Sequence, residues 1–448
     1  MPDTRPDPSS PPPRADVGRP VSSAAAAAAV QAAAKAAFDP ATGRAAPELA
    51  PIVAEHLKRC EWDAIAALAP RLPPTLTPPW LWLADEVAFA LSRLRRTDAA
   101  AALVERAYLL EPTHRRAACL AYIYYDVLLA TRRPPRRGET APQRDREADR
   151  RQFEAWMKQA LRFEPDSIKD LYRLGVYEAQ VQSQHDAPAL RAFERAINAY
   201  RTLPAPRRAS RPDLFKPYVR ALYAGARSAF RLRRYPDARR LCFACIREDE
   251  RTGRVEPVHK LFLAGKICAA QGQLDHAERA LRLALDAKGP PRRDFVFAAL
   301  ADVARRAGRV DDAAAWIERH LEPHRRAASA WRLLGDIRAA QGRAREAAVA
   351  WENALRRDHS GRHFTLTRLG DLARAAGDAG AAARHYEQAL VFRRRHYLSE
   401  HVPALAGLLA LAEARGDAPA AVELERRIGA ARPGRCDEPP DDLPDAVA

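Results

Sequence analysis

The chain has 448 residues, 74 Lys or Arg against 57 Asp or Glu, and a formal net charge of +17. Hydrophobic residues make up 47% and charged residues 29%, with 20 glycines. Alanine supplies much of the apolar share, which excludes a thick core of large side chains and favours close-packed helices over a large sheet.

Only eight of the basic residues are lysine, and asparagine occurs only at Asn198 and Asn353. GC-rich coding produces such a balance, so arginine richness alone is a poor sign of a nucleic-acid ligand; the net excess is a better one. No stretch approaches the run of apolar residues that a transmembrane helix needs. Cys60, Cys119, Cys242, Cys245, Cys268 and Cys436 are too scattered for a disulfide framework, and a reducing cytoplasm is expected.

In chain order, residues 1–22 hold seven prolines and read as a disordered tail. Residues 23–79 read as an Ala-rich helix and a degenerate helix pair. Residues 80–250 read as divergent helix pairs interrupted by an Arg/Pro-rich insertion at 131–149. The first of these carries Trp80, Trp82, Val87, Ala100, Val104 and Ala107. The second ends on Trp156, Ala160 and Leu161. Leu171, Gly175, Ala189, Phe193 and Ala196 mark the third. Leu222, Gly225, Ala238, Cys242 and Cys245 mark the fourth, with Arg233 where a turn glycine is expected.

Residues 251–432 are regular. Leu261, Gly265, Gly272, Ala277, Leu281 and Ala284 recur as Phe297, Ala301, Gly308, Ala313 and Ile317. They recur again as Trp331, Gly335, Gly342, Ala347, Trp351 and Ala354, then as Leu366, Gly370, Gly377, Ala382, Tyr386 and Ala389. The turn glycines are 36, 34 and 35 residues apart. Leu405, Leu408, Gly416 and Ala421 continue the pattern, but Glu425 replaces the large residue, as suits a capping unit. Residues 433–448 form an acidic tail expected to be disordered.

This pattern resembles the tetratricopeptide repeat, a helix–turn–helix of about 34 residues. The resemblance covers roughly 80–430 with about nine units, and is strongest over 258–392. It implies an all-α, right-handed solenoid of stacked antiparallel helix pairs. The small residue on each first helix lets the second approach, the turn glycine takes a left-handed conformation, and one stripe of each second helix packs on its neighbour.

No phosphate loop, dinucleotide fingerprint or nucleophile elbow occurs, and no catalytic, cofactor or metal residues are expected. The CxxC at Cys242 and Cys245 falls on packing positions of a second helix and reads as core. His320, His324, His359, His363, His396 and His401 read as surface or capping histidines.

In arrays of this kind the first helices line a concave groove. Its expected lining is Lys169, Tyr172, Arg220, Tyr223, Arg227, Phe230, Arg231, His259, Phe262 and Lys266, where basic and aromatic side chains alternate. Tyr172, Tyr223 and Phe262 are the expected packing anchors. The equivalent later positions are Asp302, Asp336 and Asp371, an expected change of sign. Residues 201–240 alone hold twelve basic residues against two aspartates. The expected function is a non-enzymatic scaffold that holds an acidic or C-terminal protein segment. A carboxylate clamp for chaperone tails is not matched, because its asparagines are missing. The alternatives are an RNA or single-stranded nucleic-acid binder, or a regulatory or substrate-recognition subunit of an enzyme complex.

Overall fold

The computed structural model describes residues 38–39, 44–45, 49–130, 145–182 and 185–431. The Pro-rich residues 1–22, the Ala-rich stretch before 38, most of the insertion and the acidic tail lie outside the described residues. Twenty-one α-helices are present among those described. The only strands there are Phe38–Asp39 and Arg44–Ala45, paired antiparallel. The chain divides into two compact units, Met1–His185 with Asn198–Leu203, and Asp186–Ile197 with Pro204–Ala448.

In the first unit, α1 (Leu49–Lys58) and α2 (Trp62–Ala66) precede three longer helices. These are α3 (Leu81–Arg93), α4 (Thr97–Leu110) and α5 (His114–Ala130). Then come α6 (Arg146–Phe163) and α7 (Ile168–Gln180). Asp145 starts α6, its carboxylate accepting from the amides of Glu147 and Ala148. Val53, Ile65, Leu68, Trp80, Leu83, Val87, Val104 and Leu120 share one core.

α8 (Asp186–Thr202) contributes its first three turns to the second unit. After the short α9 (Ala205–Ser210), that unit is a run of adjacent helix pairs. They are α10 (Phe215–Arg231) with α11 (Tyr235–Glu248), α12 (Pro257–Ala270) with α13 (Leu274–Asp286), and α14 (Asp294–Arg306) with α15 (Val310–His320). Next are α16 (Ala328–Ala340) with α17 (Ala344–Arg357), α18 (Arg362–Ala375) with α19 (Ala379–Tyr397), and α20 (Val402–Arg415) with α21 (Ala418–Ala430). α21 buries no residue fully.

The repeat positions act as the pattern requires. A Cβ on Gly370 would stand 2.6 Å from Tyr386 Cε1, and one on Gly335 2.3 Å from Trp351 Nε1. Only hydrogen lets these second-helix rings lie against the first helix. Gly342 ends α16 at φ +75°, where its amide bonds the Ala339 carbonyl and that of Arg343 bonds Arg338. Arg233 fills the same role at φ +58° without glycine's freedom. No helix among the described residues is long and apolar enough to cross a membrane.

Candidate interaction groove

In the second unit the first helices of successive pairs, α10, α12 and α14, lie side by side. They carry one row of equivalent repeat positions: Arg220, His259 and Phe295. The His259 and Phe295 rings stack with centroids 5.7 Å apart, joining α12 and α14. Phe262 meets Phe295 edge-on at 4.9 Å.

Arg220 is half-buried on α10, and its Nε is buried with no acceptor. Its guanidinium makes no ion pair among the described residues. Lys216, one turn earlier, is exposed and likewise without an ion pair there. Lys266 is half-buried on α12. Arg231 is held by Asp186 at 3.4 Å.

Several expected lining residues lie deeper than a groove wall. Tyr223 is 1% exposed, Phe262 3%, Phe230 and Arg227 6% each, and His259 7%. The alternation at this spacing is that of a face on which first helices also pack against one another. Tyr223 and Phe262 therefore lie behind this face, while Arg220, Lys266 and Phe295 are half-buried on it. Applying the same repeat offset one unit further identifies Phe295 from sequence.

Burial holds His259 below the usual histidine range, opposed by Glu256 at 3.3 Å and reinforced by the charges of Arg227 and Arg293. It therefore stays neutral near pH 7. In the first unit, Lys169 and Tyr172 are half-buried on α7. Beside them Asp170, fully buried, accepts from the Tyr122 hydroxyl and pairs with His114 Nε2 at 2.7 Å. Arg173 covers the Tyr122 ring at 3.6 Å.

Two of the three later aspartates, Asp302 and Asp336, have arginine partners. Asp302 pairs with Arg305 and Arg306, each at 2.8 Å. Asp336 meets Arg368 at 3.3 Å and accepts from Trp351 Nε1 at 3.2 Å. Asp371 accepts from the Tyr386 hydroxyl at 2.8 Å. Asp302 and Asp336 are thus countered by arginines, and Asp371 holds the Tyr386 ring.

Cys242 and Cys245 are fully buried in α11, and their thiols point to the backbone carbonyls of Lys260 and Val219. Burial pushes the Cys245 thiol up to about 12 and Cys242 further still. No group of His, Cys, Asp and Glu suited to a metal ion occurs among the described residues. The surface reading of His363 and His401 is overturned, because both rings are completely buried and meet edge-on at 4.9 Å. His363 lies in the first turn of α18 and His401 caps the start of α20, a long-range contact that single-chain periodicity does not encode.

Residues 246–374 match the family described as tetratricopeptide repeat-like domain. Similar solved structures include a tetratricopeptide repeat protein from Parabacteroides merdae, 19% identical over 62% of this chain and 94% of that one, TM-score 0.40. The C-terminal part of a repeat-containing protein from Cytophaga hutchinsonii is 15% identical over 60% and 96%, TM-score 0.36. Yeast Tom70 is 12% identical over 85% and 91%, TM-score 0.41. No curated protein matches the chain.

Proposed function

We propose that this tetratricopeptide-like helical array is a non-enzymatic adaptor that holds an acidic protein segment against the first helices of its basic region. The observation that carries the reading is Arg220. This half-buried guanidinium has no ion pair among the described residues and keeps donors for an incoming acceptor. A carboxylate could accept charge-assisted hydrogen bonds from its Nη groups. Lys266 on the next first helix adds charge, and the half-exposed Phe295 offers an apolar contact beside it. An extended segment lying across successive helices suits such a surface, which presents length rather than a deep pocket.

The aromatic residues count against a plain polyanion site. Stacking of single-stranded bases requires exposed rings, yet Tyr223, Phe230 and Phe262 are buried. The test is affinity capture from the native host with the wild-type chain and an Arg220→Ala/Lys266→Ala variant, with and without nuclease. A protein partner lost by the variant and indifferent to nuclease is the expected result. A partner kept in full by the variant would refute the groove, and partners released by nuclease would replace this reading with nucleic-acid binding.

A further inference from the structure

We infer that Ser210 is a phosphorylation site for a kinase that selects arginine upstream of its acceptor, and that its phosphate competes with acidic segments for the neighbouring basic face. The second half rests on the reading of that face as a site for acidic segments and adds its regulation. Pro204–Asp213 is a run of ten exposed residues, the longest among the described residues. It holds α9, a helix of six residues that buries none of them. A helix so short, with no buried side chain, opens locally at small cost and can be presented extended to an enzyme cleft.

Three serines are exposed among the described residues, Ser210, Ser360 and Ser399. Two of them are tied down. Ser399 Oγ accepts from Arg393 Nε at 3.0 Å, and Glu400 beside it pairs with Arg394 at 2.6 Å. The Ser360 amide donates to Asp358 at 2.9 Å, and its carbonyl accepts from the Tyr397 hydroxyl at 2.7 Å. Ser210 Oγ donates to the Arg207 carbonyl at 3.1 Å inside its own helical turn, a bond that opening of α9 releases. Arg207 and Arg208, just before it in the chain, are exposed and form no ion pair among the described residues.

Two unengaged guanidiniums at those places suit a cleft lined with carboxylates, which holds the segment and sets Ser210 Oγ against the γ-phosphate of a nucleoside triphosphate. The Oγ–phosphorus bond forms as the bond to the β-phosphate oxygen breaks. The nucleoside diphosphate leaves, and the hydroxyl proton passes to the base of the kinase.

The 3-10 turn Pro212–Leu214 joins α9 to α10 and touches both. Such a turn advances about 2 Å per residue, so the chain from Ser210 to Lys216 covers on the order of 12 Å. Lys216 is exposed in the first turn of α10, one turn before Arg220. A phosphoserine adds about −1.5 to −2 charges and strong acceptor oxygens. Set beside Lys216, it supplies from within the chain the charge that an acidic partner would bring.

The full chain is incubated with cyclic-AMP-dependent protein kinase and Mg-ATP and mapped by peptide mass spectrometry. Ser210 is expected to be the principal acceptor, and an Arg207→Ala/Arg208→Ala variant to be modified at least about tenfold more slowly. A chain that takes no phosphate at Ser210, or a variant modified as fast as wild type, would overturn the inference. A fluorescein-labelled oligoglutamate peptide then reports the basic face at low salt. The phosphorylated chain is expected to bind it at least about fivefold more weakly than the untreated chain, with phosphatase restoring binding and kinase-treated Ser210→Ala unchanged. Equal affinity before and after phosphorylation would overturn the regulation and leave the groove reading standing. An untreated chain that does not bind oligoglutamate would refute the groove reading and the regulation that rests on it, while mass spectrometry still decides whether Ser210 is an acceptor.

Discussion

The Tyr386 hydroxyl donates to Asp371 Oδ1 at 2.8 Å while its ring lies on Gly370, the neighbouring residue. Trp351 stands in the same relation to Asp336 and Gly335, at 3.2 Å. In two consecutive repeats a glycine admits the ring of the second helix and the following aspartate holds its polar edge. A satisfied polar tip allows so large an aromatic to be buried at this junction.

Gly370→Ala is expected to destabilise the second unit even though alanine is the better helix former by about 1 kcal/mol. The new methyl would press on Tyr386, whose ring is also packed on Gly407, and overpacking of this kind costs about 1–3 kcal/mol. Tyr386→Phe keeps the ring and removes one hydrogen bond, for a loss of about 1 kcal/mol. Urea unfolding of both variants checks the order. A Gly370→Ala chain as stable as wild type would mean that the helices separate freely.

Acid should loosen the junction of α18 and α20 first. Burial, then the charges of His401 and Arg393, hold His363 at about 3, below the ordinary histidine value of 6.5. Arg393 donates to His363 Nε2 at 3.0 Å, so that nitrogen accepts and the ring is neutral. The unfolded chain takes up this proton before the folded one does. The stability contributed by neutral His363 is complete above pH 6.5 and is lost progressively as pH falls towards 3, by up to about 1.4 kcal/mol per pH unit. Amide exchange in α18 and α20 at pH 7 and pH 4 is the measurement. Equal protection at both values would show that His363 titrates normally.

The buried pair Lys260–Asp249, 2.9 Å apart, gives an asymmetric expectation. Asp249 also accepts from Thr252 Oγ1 and from the amides of Arg254 and Val255. Lys260→Met leaves the carboxylate with those donors, whereas Asp249→Leu strands a buried ammonium and frees two amides. The second variant is expected to lose about 3–5 kcal/mol and the first distinctly less. Thermal unfolding compares them, and the reverse order would contradict this account of the turn between α11 and α12.

Thiol labelling at pH 8 should separate the cysteines. Cys60 is exposed, whereas Cys242 and Cys245 are buried with thiols raised in pKa. Iodoacetamide is expected to modify Cys60 in the folded chain and Cys242 and Cys245 only with unfolding. Fast labelling of either α11 cysteine would reopen the CxxC as a reactive motif.

The helical array was legible because its signals are local. Gly370, Ala382, Tyr386 and Ala389 fall at fixed offsets, and each offset reflects packing within one helix pair. Arg233 was recognisable as a turn residue from its place in the period alone. What sequence could not supply was depth. Position on the first helix identifies the face, but the closeness of α10 and α12 decides that Tyr223 and Phe262 sink behind it while Arg220 does not. Asp302, Asp336 and Asp371 likewise read as surface charge until their partners on other turns and helices are known. The His363–His401 contact joins two repeats and leaves no trace in either one's pattern.

The central claim is that Arg220 and its neighbours on the first helices receive an acidic segment. Fluorescence anisotropy of a labelled acidic peptide should rise on titration with the wild-type chain, and Arg220→Ala should weaken binding roughly tenfold, as expected for loss of a charge-assisted hydrogen bond. A neutral peptide of equal length should not bind. Equal affinity of wild type and Arg220→Ala for the acidic peptide would contradict the account.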